Sequence, residues 1–136
     1  MNLEEQIRNA RKVISSIVPI REFGRIIGLQ FKIKGIVGKG NKRKITYHVI
    51  AFLDDWPDNL PRVFIIYPPD EQIKHVNIYH PRSHPRLQRR LPEICWGNNV
   101  DEWRKVPPSR RTITLFLTYL MKVLNEENPY SPARDP

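Results

Sequence analysis

Two consecutive runs of alternating apolar and polar residues constrain this chain more than any other feature. Between Arg25 and Val37, the apolar residues Ile27, Leu29, Phe31 and Ile33 occupy every second position. A second run places apolar side chains at Ile45, Tyr47, Val49, Ala51 and Leu53. A period of two is typical of a half-buried strand, and the turn Gly38-Lys39-Gly40-Asn41 separates the runs. They therefore predict an antiparallel β-hairpin.

Helical patterns flank this hairpin near both ends of the chain. Asn2 and Glu5 form a capping-box pattern before apolar residues at helical spacing, namely Leu3, Ile7, Ala10, Ile14 and Ile17. Pro19 is expected to end this first helix. Pro107-Pro108-Ser109 introduces a last helix with an apolar stripe at Ile113, Phe116, Leu117, Leu120 and Leu124, ended by Asn128-Pro129.

The middle of the chain predicts one further strand and a long irregular segment. The run from Arg62 to Tyr67 is short, β-branched and aromatic, and Pro68-Pro69 closes it. Between Asp70 and Pro92, His, Pro and Arg residues replace any regular pattern. Such a stretch is long for a structureless loop in a compact domain, so it is expected to be functional or mobile.

Length and charge limit the class of protein. At 136 residues the chain is expected to form a single domain, 1–136, with a flexible tail over about 130–136. No apolar run approaches the roughly twenty residues that cross a bilayer, and the polar start does not resemble a signal peptide. The single cysteine, Cys95, is typical of a reducing compartment, so a cytoplasmic protein is expected. The formal charge of +9 favours acidic partners.

Short motifs occur along nearly the whole chain in a fixed order. They are Asp55-Trp56-Pro57 with Pro61-Arg62-Val63, Tyr79-His80-Pro81, Glu93-Ile94-Cys95-Trp96, Trp103, Pro107-Pro108, Thr112-Ile113 and Asn128-Pro129-Tyr130-Ser131-Pro132. In this order and spacing they resemble the ubiquitin-conjugating enzymes. The chain is similar to a minimal, divergent, prokaryotic-looking member of that family, because it ends without the two additional C-terminal helices.

The resemblance implies an α+β fold with an N-terminal helix, an antiparallel meander of about four strands, a cysteine loop and a C-terminal helix packed on the sheet. It implies that Cys95 accepts a ubiquitin-like modifier as a thioester from an activating enzyme and passes it to a lysine of a target protein. A ligase is an optional further partner, and no cofactor, metal or membrane is implied. Trp103 corresponds to a scaffold residue of the active loop, and Ser131 to a residue near the incoming lysine.

The chain departs from the family where an asparagine associated with the oxyanion is expected. Arg82, or Arg86 in the alternative alignment, stands at that position. Asn98, Asn99 and the backbone amides beside Cys95 are the nearest substitute donors. Gly97-Asn98-Asn99 also fits a simple turn, and the stretch from Val63 to Cys95 is longer than in common members.

The thiolate form of a cysteine is the nucleophile, so the site is expected to favour that form. Four arginines precede Cys95 closely, at positions 82, 86, 89 and 90. They are expected to favour the thiolate or to steer an acidic partner, and the alternative is a solvated loop. His80 or His84 is the candidate proton shuttle.

Other functions remain alternatives. Cys95 also fits a small buried apolar residue, and the chain also fits a catalytically inactive binding module of the same fold. His75, His80, His84 and Cys95 are zinc-ligand types, but their spacing is irregular. Nucleic-acid binding is disfavoured because the basic residues are scattered without an aromatic-basic motif.

Overall fold

The alternating runs form the longest strands of an antiparallel sheet in the computed structural model, which describes residues 1–135. The fold is α+β, as predicted, with a six-stranded sheet and three α-helices in the described residues. The strands are β1 (Val18–Glu22), β2 (Arg25–Gly38), β3 (Asn41–Phe52), β4 (Arg62–Tyr67), β5 (Ile78–Arg82) and β6 (Leu91–Ile94). The helices are α1 (Leu3–Ala10), α2 (Asn99–Lys105) and α3 (Ile113–Asn125).

The predicted hairpin is confirmed as β2 paired with β3. Leu29 faces Ala51 and Phe31 faces Val49, so the apolar faces of the two runs coincide and are buried. Lys39 at the turn has a φ of 54°, a left-handed conformation that its glycine neighbours also adopt. Strands β1 to β4 form a meander, and the order across the sheet is β1-β2-β3-β4-β6-β5.

The prediction of about four strands is wrong because the sheet has six. Strands β5 and β6 both lie in the stretch whose pattern looked irregular, and each contains a proline, Pro81 and Pro92. β5 is an edge strand, where a missing backbone N–H is tolerated. Strand β6 does not show the alternation that identified β2 and β3, since all four of its residues are buried.

The first helix is shorter than predicted. The Asn2 side chain accepts a hydrogen bond from the Glu5 backbone N–H at 2.9 Å, as the capping pattern indicated. The helix nevertheless ends at Ala10, and Pro19 lies in β1, where it faces Leu29. The β-branched residues between Val13 and Val18 favour extended backbone over helix, which explains why the apolar spacing alone misplaced this boundary.

Helix α3 packs its apolar stripe on the sheet and on α1. The Thr112 side chain caps the helix by accepting the Leu115 backbone N–H at 3.2 Å. Gly35 in β2 lies so close to α3 that an added Cβ would come within 2.9 Å of the Leu124 Cβ. The helix therefore rests directly on the β2 backbone, and the sheet-packed C-terminal helix is observed.

The tail that was expected to be flexible is held by contacts in its described part. Arg134 is buried, donates to the Ile78 carbonyl at 2.5 Å and pairs with Asp70 at 2.7 Å. The Ala133 N–H donates to the Val76 carbonyl at 2.7 Å. Pro136 lies outside the described residues. Among residues 1–135, no helix has both the length and the apolar character needed to cross a membrane.

The Glu127 carboxylate ties the tip of the β2–β3 hairpin to the segment after α3. It accepts backbone N–H groups of Lys39 at 2.9 Å, Gly40 at 3.2 Å and Val76 at 3.0 Å. Partial burial acts to raise the pKa of Glu127, but these three donors outweigh it and hold the pKa below its ordinary value of 4.5. A depressed pKa contributes stability above pH 4.5 that is lost as the pH falls through the folded-state value.

We expect Glu127→Gln to lower the free energy of unfolding at neutral pH by about 1–3 kcal/mol, because the amide binds the three donors less well than a carboxylate. The difference in the free energy of unfolding between Glu127→Gln and the unsubstituted protein should shrink below pH 4.5. Urea titrations across this pH range measure it, with Glu126→Gln, an exposed neighbour, as the control. An equal loss in both variants at every pH would contradict the assignment.

Candidate active site

Cys95 follows β6 directly and lies at a groove of about 460 Å3. Its backbone N–H donates to the Asn77 carbonyl at 2.8 Å, which fixes the end of the strand. The side chain is half-buried rather than enclosed. One wall of the groove is the loop 95–99, and the other is the segment 126–131 after α3. The groove therefore gives a reactive partner access to the thiol.

The turn after Cys95 leads into a helix that the sequence did not predict. Gly97 adopts a φ of 55°, and the Trp96 indole donates to the Pro61 carbonyl at 2.8 Å. The Asn99 side chain donates to the Trp96 carbonyl at 2.8 Å and so braces the turn. The exposed Asn98 side chain makes no hydrogen bond to the helix that it precedes, and it lines the groove with Cys95. Of the two candidate asparagines, Asn98 is the one whose amide is available to a ligand.

Trp103 of α2 anchors the cysteine loop to the body of the protein. It is 1% exposed, and its indole N–H donates to the Pro57 carbonyl at 2.9 Å. Its ring lies 5.6 Å from that of Trp56 and 5.5 Å from that of Tyr119. These contacts fix the position of α2, and hence of the turn that carries Asn98.

Asn77 joins both walls of the groove and was missed from the sequence. Its buried side chain accepts the Asn128 N–H at 2.7 Å and donates to the carbonyls of Asn128 at 3.0 Å and Ser131 at 3.2 Å. Its own carbonyl accepts from Cys95. Ser131 is thereby held on the groove wall, where it was predicted to meet an incoming amine. No local pattern marks Asn77, because its partners lie far away in the sequence.

Tyr79 of β5 is the second residue that the sequence did not single out as functional. It faces Glu93 across the β5–β6 pair, and Cys95, two positions further on, lies on the same side. The neighbouring Cys95 side chain, together with burial, raises the pKa of Tyr79. The Arg82 guanidinium stacks 4.5 Å above the Tyr79 ring. The hydroxyl therefore stays protonated and can donate to a thiolate.

The structure does not bring the two candidate proton shuttles to Cys95. His80 follows Tyr79 in β5, is exposed, and lies 2.9 Å from Asp70. His84 is buried, stacked on Phe52 at 4.1 Å, with its Nε2 atom 2.8 Å from Asp54. Neither histidine lines the groove. Strand alternation explains the position of His80, and packing on the sheet explains that of His84.

Two of the four arginines predicted to act near Cys95, Arg82 and Arg86, pair with carboxylates, and Arg89 and Arg90 form no ion pair within the described residues. Arg62 binds the buried Glu93 through two hydrogen bonds of 2.8 and 2.9 Å, and Arg82 lies 3.5 Å from the same carboxylate. Arg86 pairs with Glu22 at 2.6 Å. Arg82, through its stack on Tyr79, is thus the arginine most closely linked to the thiol. Within the described chain, no three His, Cys, Asp or Glu side chains meet where they could hold a metal ion.

We expect Tyr79→Phe to slow alkylation of Cys95 by iodoacetamide about 2- to 10-fold near neutral pH, because the thiolate loses a hydrogen-bond donor. Alkylation rates measured by mass spectrometry from about pH 6 to 10 test this. Tyr130→Phe is the control, since Tyr130 is exposed at the groove. Superimposable pH profiles for Tyr79→Phe and the unsubstituted protein would contradict the role of Tyr79.

Comparison with models of protein families, with curated proteins and with solved structures found no significant match for this chain. The fold and the groove are therefore described by their own geometry. The function has to be inferred from the residues that line the groove and from the order of the sequence motifs.

Proposed function

We propose that this protein is a conjugating enzyme for a ubiquitin-like modifier, with Cys95 as its nucleophile. The observation that carries the proposal is the position of the chain's single cysteine, half-exposed at a strand end, in a groove and beside a hydroxyl donor. The ordered motifs around Cys95, and a sheet backed by a C-terminal helix, support the same assignment.

The proposed reaction has two acyl-transfer steps. In the first, the Cys95 thiolate attacks the thioester carbonyl that joins the modifier to its activating enzyme. A new carbon–sulfur bond forms, and the activating enzyme's sulfur leaves and takes up a proton. In the second, a lysine amine of the target attacks the Cys95 thioester, the carbon–sulfur bond breaks, an amide bond forms, and the amine loses a proton as Cys95 becomes a thiol again.

Residues of the groove and its immediate neighbours are proposed to provide the groups that these steps need. Tyr79 donates to the Cys95 thiolate before the first attack and to the departing Cys95 sulfur in the second. Asn98, whose amide is not used by the turn or the helix, is the proposed donor to the developing oxyanion. Ser131, held by Asn77, orients the incoming amine by a hydrogen bond. Trp103 acts as a positioning residue because it fixes the helix that follows Asn98.

The partners follow from the same scheme. A ubiquitin-like modifier delivers its C-terminus to the groove, an activating enzyme supplies that modifier as a thioester, and a target protein provides the lysine. A ligase is required only if the target does not reach the groove unaided. An inactive module of the same fold is the alternative function, and it predicts a Cys95 that forms no thioester.

Incubation with the cognate activating enzyme, ATP and modifier should give an adduct that a reducing agent removes. Cys95→Ser should convert it to a stable oxygen ester, and Cys95→Ala should abolish it. Gel electrophoresis with and without reductant, followed by intact-mass measurement, detects these species. No adduct on the folded protein, with an activating enzyme that is itself charged, would overturn the proposal in favour of the inactive module.

We expect Asn98→Ala to leave formation of the Cys95 thioester within about twofold, but to slow its transfer to free lysine about 10- to 100-fold, because the oxyanion loses its donor. Single-turnover decay of the purified thioester in lysine measures the second step alone. Asn59→Ala, an exposed asparagine outside the groove, is the matched control. Equal slowing of both steps would show that Asn98 supports the loop and not the oxyanion.

A further inference from the structure

The positive charge of the chain is concentrated in one hairpin. From Arg25 to Leu53 there is no Asp or Glu, whereas seven cations occur: Arg25, Lys32, Lys34, Lys39, Lys42, Arg43 and Lys44. None of the seven forms an ion pair within the described residues. Near Cys95, by contrast, three arginines bind carboxylates, namely Arg62, Arg82 and Arg86, whereas Arg89 and Arg90 form no ion pair within the described residues. The Glu127 carboxylate binds backbone N–H groups at the hairpin tip, but no ion pair neutralises any of the seven side chains within the described residues.

Three of these lysines surround a hollow of about 480 Å3, which we call the basic hollow. Lys32 and Lys34 of β2 and Lys44 of β3 line it. Its floor and remaining wall combine apolar and neutral polar residues of β2, the α1–β1 connection and α3: Val13, Ile14, Ser15, Ser16, Ile33, Met121 and Asn125. No acidic residue lines it, and it shares no lining residue with the groove of Cys95.

The hollow exists because β2 extends beyond its neighbour. Strand β1 pairs with β2 only as far as Gln30, so β2 has no strand partner on that side from Lys32 onward. Side chains cover part of this edge instead. The Ser16 hydroxyl accepts the Lys32 N–H at 2.9 Å, and the Asn125 side chain donates to the Lys34 carbonyl at 3.2 Å. The basic hollow is thus a polar-rimmed depression along a strand edge.

We propose that the basic hollow binds an acidic segment of a partner protein that inserts one apolar side chain. Charge complementarity is the main argument, since lysines rim the hollow with no carboxylate to neutralise them. The apolar bed, with Val13 51% exposed, matches an apolar anchor flanked by carboxylates. An apolar bed without aromatic residues gives nucleic-acid bases no surface to stack on, so phosphate contacts alone would have to hold a nucleic acid. The proposal does not depend on the chemistry of Cys95.

The test uses a fluorescein-labelled peptide of glutamates with one central leucine, and fluorescence anisotropy as the readout. We expect binding that weakens as salt is raised from about 0.05 to 0.3 M. The double variant Lys32→Glu/Lys44→Glu should weaken binding at least about tenfold. The charge-matched control Arg89→Glu/Arg90→Glu should change it less than about threefold, because these residues lie outside the hollow. Circular dichroism and thermal unfolding establish that each variant is folded.

Two further experiments distinguish insertion of the peptide's apolar side chain from general electrostatic attraction. Replacing the peptide's leucine by glutamate should weaken binding to the unsubstituted protein, and Val13→Ser should weaken binding only of the leucine peptide. Equal effects of the two charge-reversal variants would overturn the proposal, because binding would then follow net charge. Tighter binding of an oligothymidylate, or of phosphatidylserine vesicles, with the same loss in Lys32→Glu/Lys44→Glu, would also overturn it and identify the hollow as a nucleic-acid or lipid surface.

Discussion

The buried amide of Asn77 is the constraint on which the rest of the site depends. Its side chain binds the backbone of Asn128 and Ser131, and its carbonyl holds the N–H of Cys95. Leaving any of these groups unpaired in the interior costs about 1–3 kcal/mol, so the two walls of the groove are fixed relative to each other. The thiol consequently has a defined neighbourhood although it lies on a loop.

The groove beside the thiol is lined by Asn98 and Ser131 together with the charged residues Glu102, Lys122, Glu126 and Glu127, and by no histidine. Tyr79 lies against Cys95 from β5, and Asn98 lines the groove from the turn before α2. The buried Glu93 is next to this site, and its charge is compensated by Arg62 and Arg82. The proposed reaction moves negative charge between a thiolate and an oxyanion, and Tyr79 and Asn98 are the donors proposed for these two charges.

Local sequence patterns predicted the elements whose stability is local. They failed where contacts with residues distant in the sequence determine the structure. The β2–β3 hairpin and the stripe of α3 were predictable because their periodicity is long and regular. Strands β5 and β6 were not predicted, because Pro81 and Pro92 interrupt the pattern expected of a strand. Their strand conformation depends on pairing with each other and with β4. Arg134 is buried and donates to backbone carbonyls that lie 56 and 61 positions earlier in the chain. Contacts over such separations leave no pattern in a local stretch of sequence.

The candidate site likewise contains some residues that the sequence predicted and others that it did not. The order of the motifs singled out Cys95, Trp103 and Ser131, and all three lie at or directly behind the groove. His80 and His84 were chosen for their chemistry alone, and strand alternation and sheet packing place them elsewhere. Asn77 and Tyr79 were passed over because their roles arise only from the β5–β6 register.

The central claim, that the folded groove speeds acyl transfer from Cys95, can be measured without any partner protein. A short peptide ending in a glycine thioester of mercaptoethanesulfonate acylates Cys95 by exchange, and decay of this protein thioester in lysine is followed by intact mass. We predict aminolysis at least about tenfold faster in the folded protein than in the same thioester unfolded in urea, after correction for the effect of urea on a free peptide thioester. Equal or slower aminolysis in the folded state would contradict the account.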